Sequence, residues 1–209
     1  MYSPRIHMVV NSIQFTKIEI QIAKYLFKHY KDRYNSRQLA KVLNLNHTHI
    51  NKLCNVLTGK KLLVKEKIGN SFLFSYNYGY SLAVNFIEYV LSLEMDEFPK
   101  WLDVLLHSLK KFKSHIEMGL VFGSSINNKN FNDVDILLLY SSKKLDEVTK
   151  IKDEIRKSEL VEKPIRYVDI TMKDIMLNKG NEIFYNMLSN NIVFYNPEKY
   201  VEVILKCRK

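Results

Sequence analysis

The chain has 209 residues, 46% of them apolar, and carries 32 Lys and Arg against 22 Asp and Glu, a net charge of +10. That length supports one large or two small packed domains. The amino terminus lacks an apolar run ending in small residues, and no uninterrupted apolar stretch approaches 18 residues. A secretory signal and a membrane span are therefore not expected. Cys54 and Cys207 stand alone without zinc-type spacing. Cys54 falls on an apolar helical face, and the protein reads as cytoplasmic.

The charge is unevenly spread. Residues 1 to 80 hold thirteen Lys and Arg against three Asp and Glu, so the entire net charge of +10 lies there and the remainder is neutral. Such a segment points to a polyanionic partner. Within it, Thr16 to Glu19 forms a capping box that opens a helix to about Lys31, with Phe15, Ile18, Ile22, Tyr25, Leu26 and His29 as its buried face. Ser36 is expected to cap a short second helix to Leu43. After the turn Asn44-Leu45-Asn46, a third helix runs from His47 to about Thr58 and ends at Gly59.

In that third helix Ile50, Leu53, Cys54 and Leu57 form an inward face, leaving Thr48, Asn51, Lys52 and Asn55 outward. His47 and His49 lack metal-type partners and read as cap or phosphate contacts. Val64 to Ile68 and Ser71 to Tyr76 then read as strands around Gly69-Asn70, a two-residue hairpin signal. Three helices followed by a hairpin resemble a winged helix-turn-helix domain, here residues 1–78. The resemblance implies binding of double-stranded DNA through Thr48, Asn51, Lys52 and Asn55, with Arg37 before them and Lys65 and Lys67 on the hairpin.

Residues 79–99 read as a connecting helix, with Leu82, Phe86, Tyr89, Val90 and Leu93 at helical spacing and a break at Met95 to Pro99. Winged-helix proteins often dimerise through a helix placed here. A homodimer interface and packing against the following domain are the two readings of that face.

Residues 100–209 hold the most chemically informative stretch. After a helix from Trp101 to Phe112, an apolar strand ends in Gly123-Ser124, a polar loop follows, and the next strand opens with Asp133-Val134-Asp135. Side chains two apart on a strand share a face, which puts these carboxylates roughly 7 Å apart along the backbone. Such a pair can hold a hard divalent cation that takes its other ligands from phosphate. Val134, Ile136, Leu138 and Tyr140 alternate with Asp135, Leu137 and Leu139, so this strand is expected to be covered on both faces. Leu145 to Glu159 reads as a helix and Ile165 to Thr171 as a strand bearing Asp169. A short helix and the strand Asn191 to Tyr195 follow.

This layout resembles the nucleotidyltransferases of the DNA polymerase beta superfamily, in their minimal form, over Lys100 to Tyr195. The resemblance implies an α/β (α+β) fold with a central mixed sheet flanked by helices. It also implies that Gly123 and Ser124 hold a nucleoside triphosphate, with ATP expected. Asp133, Asp135 and Asp169 would be catalytic and would bind Mg²⁺ or Mn²⁺. The enzyme so implied transfers a nucleotidyl group to an acceptor hydroxyl, which could lie on a partner protein such as a HEPN-type toxin. The chain departs from the family pattern in having Ser125-Ile126-Asn127-Asn128 where many members place an Arg and a further Gly, and Asn132 where they place a Ser. The alternative reading is a winged-helix transcriptional regulator that senses nucleotide without turnover.

Overall fold

The computed structural model describes residues 14–94, 100–126, 130–157 and 163–208. They form a mixed helix and sheet protein with a four-stranded mixed sheet and a separate two-stranded hairpin. The expected break at Met95 to Pro99 and the expected helix end at Glu159 lie outside the described residues.

Three helices open the described chain: α1 (Lys17–Lys28), α2 (Ser36–Val42) and α3 (His47–Gly59). Thr16 caps α1 through the expected box, its hydroxyl accepting from the Glu19 amide while the Glu19 carboxylate accepts from the Thr16 amide. The box at α2 belongs to Asn35 and Gln38, one residue earlier than the Ser36 cap expected from sequence. Asn35 competes better because its amide oxygen reaches the Gln38 amide while Gln38 reaches back. Helix α3 runs through Gly59, and Lys61 takes the left-handed conformation (φ 61°) in its place. The Leu62 amide then donates to Leu57 O, which closes the helix end.

Strands β1 (Leu63–Ile68) and β2 (Ser71–Tyr76) pair antiparallel across the expected Gly69-Asn70 turn. An isolated bridge from Tyr34 to Phe74 ties the loop before α2 to this hairpin. Phe74 and Tyr76 are buried, whereas Phe72, on the same face, lies at the surface.

Helix α4 (Ser81–Glu94) packs against α1 and α9 (Pro197–Arg208). It buries Ala83, Ile87, Val90 and Leu91 and leaves Leu82, Tyr89 and Leu93 exposed. The apolar stripe read from the sequence is therefore mostly the outer one. Both stripes of this helix are apolar, and packing against α1 and α9 selects the one that turns inward.

The sheet has order β5-β4-β3-β6. Strand β4 (Val134–Leu139) is flanked by antiparallel β3 (Met118–Phe122) and parallel β5 (Ile165–Ile170), and β6 (Asn191–Tyr195) pairs antiparallel with β3. On one face, Val121, Ile136 and Leu138 pack with Leu102 and Leu105 of α5 (Lys100–Leu109) and Val148 and Ile151 of α6 (Leu145–Arg156). On the other, Leu120, Leu137 and Leu139 pack with α7 (Met172–Asn178), α8 (Glu182–Ser189) and α9. Strand β4 is thus buried on both faces, as its composition implies.

That second core continues without interruption into the amino-terminal helices. Phe27 meets Tyr200 edge-on with ring centroids 6.2 Å apart, and buried Lys28 donates to Asn191 O at 2.8 Å. Tyr185 Oη donates to Asp32 Oδ2 at 2.5 Å. This explains why α1 also buries Ala23 and Phe27, off the single face read from sequence.

Close packing makes one position in the sheet intolerant of any side chain. A Cβ on Gly119 would lie 2.2 Å from Phe194 Cζ, with two further ring atoms within 2.7 Å. Gly119→Ala is expected to lower stability by about 1–3 kcal/mol through overpacking, readable as an earlier urea midpoint with unchanged slope. An unshifted midpoint would mean that the Phe194 ring can move aside freely.

Candidate functional site

Strand β3 is buried throughout and is followed by Gly123, whose φ of +80° suits glycine. A Cβ there would also lie 2.3 Å from Asp135 Oδ2. The Asp135 carboxylate therefore sits directly against the turn, opposite Phe122 in the β3–β4 register. Ser124 follows as an exposed residue in a short 3-10 turn, and the buried Ser125 hydroxyl donates to Phe122 O at 3.3 Å. The sequence reading that groups Gly123, Ser124 and Asp135 thus corresponds to one compact corner.

Asp133 lies just before β4, two residues from Asp135, and its Oδ2 meets Arg166 Nη2 at 2.9 Å. Arg166 stands opposite Asp135 in the parallel β4–β5 register. Sequence reading missed it; the signal was a cation one residue into the neighbouring parallel strand. Burial first, then the nearby Asp133 charge, hold the Asp135 carboxyl above the usual carboxylate range, while Arg166 pulls it down. The corner is an anionic site in which like charges crowd.

Asp169 does not join it. It pairs in register with Leu138, not with Asp135. Its strand neighbours Val168 and Ile170 pack into the core shared with Leu137 and Leu139, so Asp169 itself points to the other face of the sheet, with Tyr167. There Lys152 of α6 donates to both of its oxygens. Burial, then the Asp169 charge, push the Tyr140 hydroxyl up to about 12. The assignment of Asp169 to a shared metal site is corrected accordingly: strand parity, which the sequence displays only once the register is known, separates it from Asp133 and Asp135. Among the described residues no three His, Cys, Asp or Glu side chains converge as a metal cage. Asp174, the next carboxylate, is committed to capping α7 through Thr171.

The expected polyanion face is at the surface. Thr48, Asn51, Lys52 and Asn55 are all exposed on α3, beside exposed Arg37 on α2 and Lys65 and Lys67 on β1. Ile50, Leu53, Cys54 and Leu57 fill the opposite, buried face. Lys65 Nζ donates to Asn55 Oδ1 at 2.7 Å and lies 4.1 Å from the centroid of the Phe72 ring, which ties the hairpin to α3. Asn55 Nδ2 in turn donates to Asn51 O. Asn55 is thus a positioning group for Lys65, a role its place on the helix wheel did not reveal. His47 Nε2 meets Ser36 Oγ at 3.0 Å and bridges α2 to α3.

Among the described residues no helix is long and apolar enough to cross a membrane. No protein-family model, curated protein or solved structure matches the chain, and its function is therefore inferred from its own residues.

Proposed function

We propose that the chain is a DNA-binding protein of winged-helix type whose carboxyl-terminal unit, of nucleotidyltransferase type, binds a nucleoside triphosphate with Mg²⁺ and transfers its nucleotidyl group to an acceptor hydroxyl. The observation that carries this reading is the Asp135 carboxylate held against the Gly123 turn, with Asp133 two residues away at the mouth of the same strand. The donor set fits the metal: Asp135 and Asp133 offer hard oxygens, Asp133 exchanging its Arg166 partner for the ion, and Mg²⁺ takes its remaining ligands from phosphate and water. When bound, the ion neutralises triphosphate charge and aligns the attacking and leaving oxygens.

The protein's own contribution is placement. Gly123 lets the backbone approach the phosphates, and its amide with that of Ser124 and the Ser124 hydroxyl supply donors. Asp133 and Asp135 fix where charge is neutralised. The acceptor oxygen attacks the α-phosphorus as its proton passes to solvent, the bond to the bridging oxygen of the β-phosphate breaks, and pyrophosphate leaves. ATP is the expected triphosphate. The acceptor lies on a partner, for which a HEPN-type toxin is the candidate the family resemblance suggests. A homodimer would use the outer residues of α4.

A second reading is favoured by one specific observation, the placement of Asp169 on the far face. Without a third carboxylate beside the acceptor, the unit would bind nucleotide and regulate DNA binding without turnover. Incubation of the full chain with each labelled triphosphate, Mg²⁺ and cell extract separates the two, with label sought in protein, RNA and DNA. Transfer is expected, to be lost in Asp135→Asn and retained in Asp169→Asn. Loss of transfer in Asp169→Asn with nucleotide binding intact would return that carboxylate to the acceptor side. Binding with no label incorporated anywhere would select the regulator.

A further inference from the structure

The seam between the two units holds a cavity of about 490 Å³ that neither the Gly123 corner nor the α3 face uses. That volume falls within the range of small-molecule sites. Lys31 and Arg33 line it from the loop after α1, and Lys179 and Arg208 from the ends of α7 and α9. Cations distant in sequence are thus drawn together by tertiary packing, at a cost in mutual repulsion.

Among the described residues little compensates them. Asp32 is the one carboxylate in the lining, and it is already engaged by the hydroxyls of Tyr185 and Tyr34. Arg33 pairs with Glu66, but Lys31, Lys179 and Arg208 form no salt bridge among the described residues. The Arg208 guanidinium lies 4.6 Å from the centroid of the Tyr78 ring, which holds it in place at the cavity wall. Tyr30, only 7% exposed, borders the same space with its hydroxyl against the Cys207 thiol.

We propose that this cavity binds a small polyphosphate, without need of a metal ion, and that the ligand bridges the two units. Several convergent Lys and Arg donors suit an anion carrying multiple phosphate oxygens. The proposal does not depend on how the Gly123 corner works.

Calorimetric titration of the full chain in EDTA, with inorganic tripolyphosphate and then ATP, provides the test. Both are expected to bind. Lys31→Ala, and separately the Lys179→Ala/Arg208→Ala pair, are expected to weaken binding by about tenfold or more, whereas Lys150→Ala, at an exposed position outside the lining, leaves it unchanged. Melting curves identify any variant that has lost its fold, and Lys31, in an exposed loop, provides the independent check. Wild-type protein that binds neither probe would overturn the proposal, as would affinities unchanged in both variants. Binding of tripolyphosphate without ATP would assign the site to inorganic polyphosphate, and binding of both to the polyphosphate group that the two share. Variants that lose duplex affinity while keeping tripolyphosphate would assign the cavity to the DNA surface instead.

Discussion

In the presence of a nucleoside triphosphate, Mg²⁺ is expected to raise the melting temperature of the chain further, and this metal-dependent increment is expected to vanish in Asp133→Asn and in Asp135→Asn. The triphosphate supplies the oxygen ligands that two carboxylates alone cannot, and the metal supplies the charge that lets a triphosphate approach them. Each therefore needs the other at this corner. Asp135 is crowded by Asp133 and partly shielded from water, so a cation relieves repulsion already present in the folded chain. At a hundredfold excess of ligand over its dissociation constant the gain is about 2.7 kcal/mol, or roughly 5–10 °C for a chain of this size.

The measurement is made in the Lys179→Ala/Arg208→Ala background, which removes any metal-independent contribution from the seam. Gly123→Ala is expected to abolish the increment as well, because the added methyl would displace the Asp135 carboxylate that lies 2.3 Å from its position. The asparagine variants keep shape and remove charge, so their unliganded melting temperatures should stay close to wild type. An increment that persists in the double asparagine variant would remove the metal from this site.

Local signals in the sequence were strong where one residue type has one use. Thr16 and Glu19 announced the start of α1, and Gly69-Asn70 announced the hairpin, because both motifs close their hydrogen bonds within a few residues. The alternation from Val134 to Leu139 identified a strand covered on both faces, and Gly123 with Asp135 formed one corner because a two-stranded antiparallel pair brings them together directly. What escaped depended on long-range geometry. The site of Asp169 is decided by the register of a parallel strand reached through a helix, and nothing local fixes that register.

Helix α9 was missed although its signals were present. Pro197 stands at its first position, and Tyr200, Val201, Val203, Ile204 and Cys207 follow at helical spacing. This helix joins the two units into one core. The inner stripe of α4 was equally hidden, since two apolar stripes compete on one helix and only the partners α1 and α9 choose between them.

Duplex DNA binding by the full chain is expected to weaken on the order of a thousandfold between 50 and 200 mM salt. The net charge of +10 carried by residues 1 to 80 includes exposed Arg37, Lys52, Lys65 and Lys67 around α3 and the hairpin. With roughly six phosphates neutralised, counterion release gives a log-log slope near −5. Lys52→Ala should weaken binding to every sequence and flatten the slope by about one, as loss of a phosphate contact requires, whereas Asn51→Ala should chiefly erode preference for a cognate site. Asn55→Ala is expected to act differently from both, because Asn55 holds Lys65 at 2.7 Å. Releasing that lysine lets it swing free, so overall affinity should change without loss of sequence preference. The full chain is the proper sample, since an amino-terminal fragment would expose the faces of Phe27 and Ala23 that pack on the carboxyl-terminal unit. Fluorescence anisotropy with labelled duplex over a salt series reads all of these quantities. A folded chain that binds no duplex at 50 mM salt, or binds it with a flat salt response, would reassign this basic face to another acidic partner.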